Sequence, residues 1–67
     1  MKDWKYKLFV KFADQSVFEG VYERVEHAYS VIRDTRQKQN PTFIQLDMDY
    51  VAANGLARST TLKQWRR

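Results

Sequence analysis

The segment from Trp4 to Phe12 alternates apolar and mostly charged side chains, and this pattern constrains the fold more than any other feature of the chain. A pleated strand sends successive side chains to opposite faces, so one face of this segment is apolar and the other is rich in lysine. The apolar row contains Trp4, Tyr6, Leu8, Val10 and Phe12, and the outer row contains Lys5, Lys7, Phe9 and Lys11. We predict a strand with one face in the core, with Phe9 as the apolar member of an otherwise charged outer row.

The chain is short, and its composition limits how a core can form. It has 67 residues, no cysteine and ten aromatic residues, so neither disulfides nor thiolate metal sites can staple it. A domain of this size buries only about 60% of the surface that its unfolded chain exposes. We therefore expect one domain, residues 1–67, held by aromatic packing. Because its longest apolar run is far shorter than a membrane span, we also expect a cytoplasmic protein. No cofactor-binding pattern is present in the sequence, so we expect no cofactor.

A second apolar segment, residues 17–23, is predicted to form a hairpin with the first. The register that places Phe12 opposite Phe18 would also place Lys11 opposite Glu19, Lys7 opposite Glu23 and Phe9 opposite Val21. A slip of one residue would bring Glu19 into the core, which costs more than a cross-strand pair contributes. We therefore predict the first register, with a loop of three or five residues around Asp14, Gln15 and Ser16.

From about Arg24 to Gln39 the apolar spacing changes to that of an amphipathic helix, with Val25, Ala28, Tyr29 and Ile32 on one stripe. Asn40 and Pro41 supply a stop signal. No Ser, Thr or Asp occupies an obvious N-cap position, so the sequence defines the start of the helix only to within a turn.

Alternation returns after the helix. Residues 43–50 place Ile44, Leu46, Met48 and Tyr50 in an apolar row, which predicts a third strand. Asn54 and Gly55 favour a two-residue type I′ turn, after which residues 58–65 can return as a fourth strand. That turn would put Lys63 opposite Leu46 on the core face, so we expect a bulge or slip that brings Leu62 inward.

These elements predict an α+β fold of order ββαββ: a small single domain with a four-stranded antiparallel sheet and one helix packed on one face. No residue pattern indicates catalysis. His27 is the only histidine and has no nucleophile or orienting acid suggested beside it. Asp47 and Asp49 share a strand face but are too few to hold a metal ion. We therefore expect a non-enzymatic protein.

The sheet face that the helix leaves uncovered is the first candidate site. It is predicted to display Phe9, Val17, Val21 and Phe43, framed by charged residues that include Lys7 and Lys11. An open antiparallel face is normally polar, so several large apolar groups there indicate an interface. Three lysines against Glu19, Glu23, Asp47 and Asp49 make this face slightly acidic. It therefore suits a protein partner or a second copy of the chain better than a polyanion.

The alternative is nucleic-acid binding by the C-terminal segment. The formal net charge is +4, and all of the excess lies after residue 26. Arg58, Lys63, Trp65, Arg66 and Arg67 combine cations with an aromatic ring, a mixture that can bind phosphates and stack on a base. The same residues could instead only protect an edge strand from unwanted pairing and keep the domain soluble.

Overall fold

The computed structural model describes residues 4–67 and confirms the predicted order ββαββ. The elements are β1 (Trp4–Phe12), β2 (Val17–Tyr22), α1 (Val25–Lys38), β3 (Pro41–Val51) and β4 (Ala57–Arg66). The four strands form one antiparallel sheet in the order β2-β1-β3-β4, and α1 packs on one face. The central strands are therefore β1 and β3, while β2 and β4 are the two edges. We call the uncovered side of the sheet the open face.

The core lies between α1 and the central strands. Leu8 and Val10 of β1, together with Ile44 and Leu46 of β3, are buried almost completely. The helix contributes its buried residues, which are Ala28, Ile32 and Thr35. Tyr6, Phe12, Tyr22, Val25, Val31 and Trp65 pack around this centre and are only partly buried. Aromatic rings thus surround a small aliphatic core, as expected for a domain without crosslinks.

The predicted helix is confirmed, with ends one residue inside the expected bounds at each terminus. Arg24 is the N-cap residue and its side chain makes no capping hydrogen bond, while Glu26 in the first turn and Lys38 in the last turn match the helix dipole. At the C-terminus the backbone N–H of Gln39 donates to the carbonyl of Thr35. The 14 residues of α1 span about 21 Å, at 1.5 Å per residue, so the helix covers only part of the longer β3–β4 hairpin.

The β1–β2 register differs from the predicted one by two residues. Phe18 lies opposite Val10 rather than Phe12, and Glu19 lies opposite Phe9 rather than Lys11. Lys7 is opposite Val21, and Glu23 lies beyond the end of the strand. Because the difference is an even number of residues, every side chain stays on its predicted face.

A tight turn explains this register. The backbone N–H of Phe12 donates to the carbonyl of Ser16, which leaves a loop of three residues, and Gln15 takes a positive φ of 73°. The side chain of Asp14 accepts a hydrogen bond from the Ser16 N–H at 3.0 Å. Turn geometry therefore decided the pairing, because exposed ion pairs such as the predicted Lys11–Glu19 contribute only about 0.2 to 1 kcal/mol.

The β3–β4 turn is also a three-residue loop and not the predicted two-residue turn. The backbone N–H of Ala52 donates to the carbonyl of Leu56, and only Gly55 of the loop has positive φ, at 82°. This loop alone would place Leu62 opposite Leu46 and would turn Trp65 away from the core.

A bulge in β4 reverses that effect. The register shifts between Leu46 and Asp47, and Lys63, not Leu62, lies opposite Leu46. The predicted bulge is present, but the expectation that it brings Leu62 inward is wrong, since Leu62 is 40% exposed. The shift instead places Trp65 opposite Ile44, where its ring packs against the core. Gaining the larger tryptophan for the core outweighs the loss of one leucine.

Candidate interaction surfaces

The centre of the open face contains the predicted aromatic pair. Phe9 and Phe43 lie on neighbouring strands, and their rings meet edge to face with centroids 6.0 Å apart. The guanidinium of Arg66 lies 5.5 Å from the centre of the Phe43 ring. Both phenylalanines are half-buried although no helix covers them. The structure thus brings these two predicted residues together, with part of their surface already covered by neighbours.

Beside this pair, a chain of polar contacts crosses β3 and β4. The amide nitrogen Nε2 of Gln45 donates to both carboxylate oxygens of Asp47, at 3.1 and 3.0 Å. The hydroxyl of Thr61 donates to the same carboxylate at 2.8 Å, and Gln64 Nε2 donates to the side-chain oxygen of Gln45 at 3.0 Å. This half of the open face is therefore a satisfied polar surface, and Asp47 has partners that need no metal ion.

The charge of the open face is close to balanced. Arg66 belongs to it, as its contact with Phe43 shows, whereas Glu23 lies outside the strands. The strands therefore place four cations against three carboxylates there, which corrects the expectation of a slightly acidic face. The full set is Lys5, Lys7, Lys11 and Arg66 with Glu19, Asp47 and Asp49. Lys7 and Asp49 form an ion pair of 3.7 Å, and both remain exposed enough to be screened by solvent.

The β2 edge carries three of the six exposed large hydrophobic residues in the described strands, more than any other strand. Val17 is 50% exposed, Phe18 40% and Val21 58%. The strand contains no lysine, arginine or proline, and its ladder with β1 has no bulge. Apart from the charge of Glu19, it therefore lacks the features by which natural proteins usually prevent an edge strand from pairing with another chain.

The free hydrogen-bonding groups of β2 can be assigned from its turn. Phe12 and Ser16 form a hydrogen-bonded pair, and in an antiparallel ladder such pairs alternate with pairs that are not hydrogen-bonded. The backbones of Phe18, Gly20 and Tyr22 consequently bond to β1. The N–H and C=O groups of Val17, Glu19 and Val21 therefore point away from the sheet, along the free edge.

The predicted basic C-terminal patch is dispersed. Arg58 pairs with Tyr50 near the β3–β4 turn, far along the strand from Arg66, which lies over Phe43. The guanidinium of Arg67 donates to the side-chain oxygen of Asn40 at 2.8 Å. Of the five predicted residues, only Lys63 and Trp65 remain together, on the side of β4 that faces α1.

Those two residues meet cations from the helix, which the C-terminal pattern did not reveal. The guanidinium of Arg36 lies 4.8 Å from the centre of the Trp65 ring. A groove of about 430 Å³ runs between α1 and β4, and we call it the α1–β4 groove. It is lined by Tyr29, Ile32, Arg33, Arg36, Gln37 and Lys63. The spacing of Tyr29, Arg33 and Arg36, at i, i+4 and i+7 of a helix, is the sequence signal that could have predicted this cluster.

Within the described residues, neither His27 nor the pair of Asp47 and Asp49 has neighbours that indicate catalysis. The ring of His27 is exposed and packs against Tyr22, with centroids 4.8 Å apart. Within residues 4–67, no group of three or more His, Cys, Asp or Glu side chains could hold a metal ion. The described residues contain one helix, α1, and it is not long and apolar enough to cross a membrane.

No protein family, curated protein or solved structure matches the chain. The surfaces described above are therefore the basis on which a function can be assigned.

Proposed function

We propose that this is a small, non-enzymatic interaction protein whose two copies pair through their β2 edges. The exposed apolar edge of β2 is the observation that carries the proposal. Antiparallel pairing of two such edges would join the sheets into one of eight strands. It would bond the free backbone groups of Glu19 and Val21 and would cover apolar side chains on both faces.

Symmetry restricts how the two strands can meet. A two-fold axis perpendicular to the sheet keeps both helices on the same side of the joined sheet. Each β2 residue must therefore lie opposite a residue of the other copy whose side chain points to the same side of the sheet. The pairing is then centred on Phe18, Glu19 or Gly20. Centring on Glu19 would set two carboxylates opposite each other, and centring on Phe18 would leave Val21 unpaired.

The Gly20-centred arrangement avoids the pair of carboxylates and keeps both Glu19 and Val21 in the ladder, with Val17 at its end. It places Glu19 opposite Val21 of the second copy and Phe18 opposite Tyr22 of the second copy. The ring of Tyr22 already lies over Gly20, since a Cβ atom at this glycine would come within 2.7 Å of the tyrosine hydroxyl. The absence of a side chain at residue 20 thus leaves room for an aromatic row on the helix side of the joined sheet.

Self-association also supplies what so small a domain lacks. The core is confined to a few residues of β1, β3 and α1, and β2 contributes none of the fully buried side chains. Pairing the edges buries Val17, Phe18 and Val21 without changing the fold. The balanced charge of the open face, with cations and carboxylates on adjacent strands, does not oppose the approach of an identical surface.

Val21→Pro tests the proposal at the backbone. Proline at residue 21 removes an N–H that faces the free edge, leaves the β1–β2 hydrogen bonds in place and follows a glycine, which tolerates a pre-proline conformation. The matched control Val21→Thr keeps the N–H and the strand propensity. Analytical ultracentrifugation over a range of concentrations should show a dimer for the natural chain and for the control, and a monomer for Val21→Pro.

Circular dichroism and denaturant unfolding establish that each variant is folded. A natural chain that stays monomeric at its highest attainable concentration would overturn the proposal, as would an unchanged dimer in Val21→Pro. Phe9→Ser separates the edge from the centre of the open face. If it abolishes the dimer while Val21→Pro does not, the copies meet face to face and the edge pairing is wrong.

A further inference from the structure

The α1–β4 groove lies at the opposite edge of the sheet from β2 and has a different chemistry. Arg33 and Arg36 come from successive turns of α1, and Lys63 comes from the helix-facing side of β4. None of the six residues that line the groove is acidic. Three cations from two elements therefore converge on one cavity of about 430 Å³.

These charges are not neutralised by the fold. Within residues 4–67, the ion pair between Lys7 and Asp49 lies on the open face, and no carboxylate lies within 4.0 Å of Arg33, Arg36 or Lys63. Placing like charges together costs free energy. An anionic ligand in the groove would offset this cost.

Aromatic rings accompany the cations. Arg36 stacks on Trp65 with its guanidinium 4.8 Å from the ring centre, which holds a planar donor group at the groove. The bulge in β4 is what turns Trp65 toward the helix. Tyr29 lines the same groove and is 41% exposed, although its position on the helix stripe predicted a core residue. The side chain of Tyr29 is thus partly exposed beside the three cations.

We propose that the α1–β4 groove binds single-stranded nucleic acid. Arg33, Arg36 and Lys63 contact successive phosphates, and the ring of Tyr29 stacks on an unpaired base. A duplex offers no exposed base face to such a ring, so the single strand is the form that uses every part of the groove. The site is independent of the β2 edge, so each copy of a dimer would keep its own groove.

Binding of labelled oligonucleotides tests this site directly. The probes are fluorescein-labelled oligouridylate and oligothymidylate of about twelve nucleotides, within the usual site sizes for such grooves. A duplex of the same length is the third probe. Fluorescence anisotropy should show binding of the single strands and weaker binding of the duplex. Binding of either single strand supports the proposal.

The salt dependence of binding reports how many phosphates of the probe the protein contacts. Each contact with a single strand contributes about 0.7 to the slope of log affinity against log salt, so three contacts give a slope of about −2. Raising the salt fourfold should therefore weaken binding about 20-fold. The triple variant Arg33→Gln/Arg36→Gln/Lys63→Gln should lose this dependence together with most of its affinity.

The matched control removes three cations from elsewhere: Lys5→Gln/Lys11→Gln/Arg58→Gln. It has the same net charge as the groove variant, so it should lose much less affinity, and Tyr29→Ser should weaken binding while leaving the slope unchanged. Equal losses in the two triple variants would show that net charge alone attracts the probe, which would overturn the assignment of the groove. So would equal affinity for the duplex or the absence of binding at low salt. Circular dichroism confirms that each variant is folded.

Discussion

The two hairpins of this protein are closed by the same turn, yet their outer strands end the sheet in opposite ways. In each turn the N–H of the residue before the loop bonds to the carbonyl of the residue after it, and the last loop residue has positive φ. In each, an aspartate or asparagine side chain accepts the N–H two residues later: Asp14 from Ser16 and Asn54 from Leu56. The difference between the hairpins therefore lies in their strands and not in their connections.

One row across the sheet shows this difference. On the side that faces the helix, Phe18, Val10, Ile44 and Trp65 follow one another from edge to edge. Trp65 packs against the core and carries Arg36 over its ring, whereas Phe18 is 40% exposed. The β4 edge also has cations and a bulge, which oppose pairing with another chain. The aromatic residue at the β4 edge, Trp65, thus stabilises the core, whereas Phe18 at the β2 edge remains exposed enough to contact a partner.

Replacing Trp65 or Phe18, the aromatic residues at the two ends of this row, with alanine should give the largest difference in the free energy of unfolding. Trp65→Ala should lower the free energy of unfolding by about 2 to 3 kcal/mol, because it removes a partly buried ring from the core. Phe18→Ala should cost only about 1 to 1.5 kcal/mol, because the residue is 40% exposed. Urea unfolding at a protein concentration below the dimer range measures both. Equal costs would show that β2 is as much a part of the core as β4.

Exchanging the positive-φ residues of the two turns should have a smaller effect. Gly55→Gln should destabilise the protein by about 1 kcal/mol, because side chains disfavour the left-handed region. Gln15→Gly should stabilise it by no more than about 0.5 kcal/mol, since relief of the strain is offset by a more flexible unfolded chain. Thermal unfolding of both variants provides the measurement. A large loss in Gln15→Gly would mean that the glutamine side chain has a role of its own in the first turn.

The smallest expected effect concerns the charge that distinguishes the two turns. Hydrogen bonds from the Ser16 side chain and backbone hold the pKa of Asp14 below the ordinary value of an aspartate carboxyl. Its contribution to stability is therefore complete above the ordinary pKa and is lost as the pH falls through the lowered one. Asp14→Asn, which copies the second turn, should abolish this part of the acid dependence. Unfolding curves from neutral to acidic pH would reveal it, and identical acid profiles for both proteins would count against it.

Side-chain alternation and helical spacing were sufficient to predict the elements and, for β1, β2 and β3, their faces. The row of Leu8 and Val10, the stripe of Ala28 and Ile32, and the row of Ile44 and Leu46 form the buried core as expected. Burying these residues dominates the free energy, and any register with the wrong parity would expose them. Phe9 and Phe43 were likewise predicted on one face, and they meet because β1 and β3 are neighbours.

Register and the grouping of charges could not be read from the same patterns. The predicted ion pairs of Lys11 with Glu19 and Lys7 with Glu23 did not decide the β1–β2 pairing, because a compact turn at Gln15 contributes more than exposed ion pairs do. Leu62 was expected to face the core, but Trp65 packs there instead because a single bulge reversed the faces of β4 beyond it. The basic residues near the C-terminus were consequently separated, and Lys63 joined the cations of the helix.

The sequence alone thus determined the central core of Leu8, Val10, Ala28, Ile32, Ile44 and Leu46, because the periods of strand and helix are local properties of the chain. Only the tertiary structure decided which strands are edges, where the bulge lies and which cations share a groove. These depend on turn conformations and on the competition of Trp65 and Leu62 for one core, which are small differences between nearly equal packings. The alternating segment Trp4–Phe12 is a central strand of the sheet, and the exposed apolar edge lies on its partner β2.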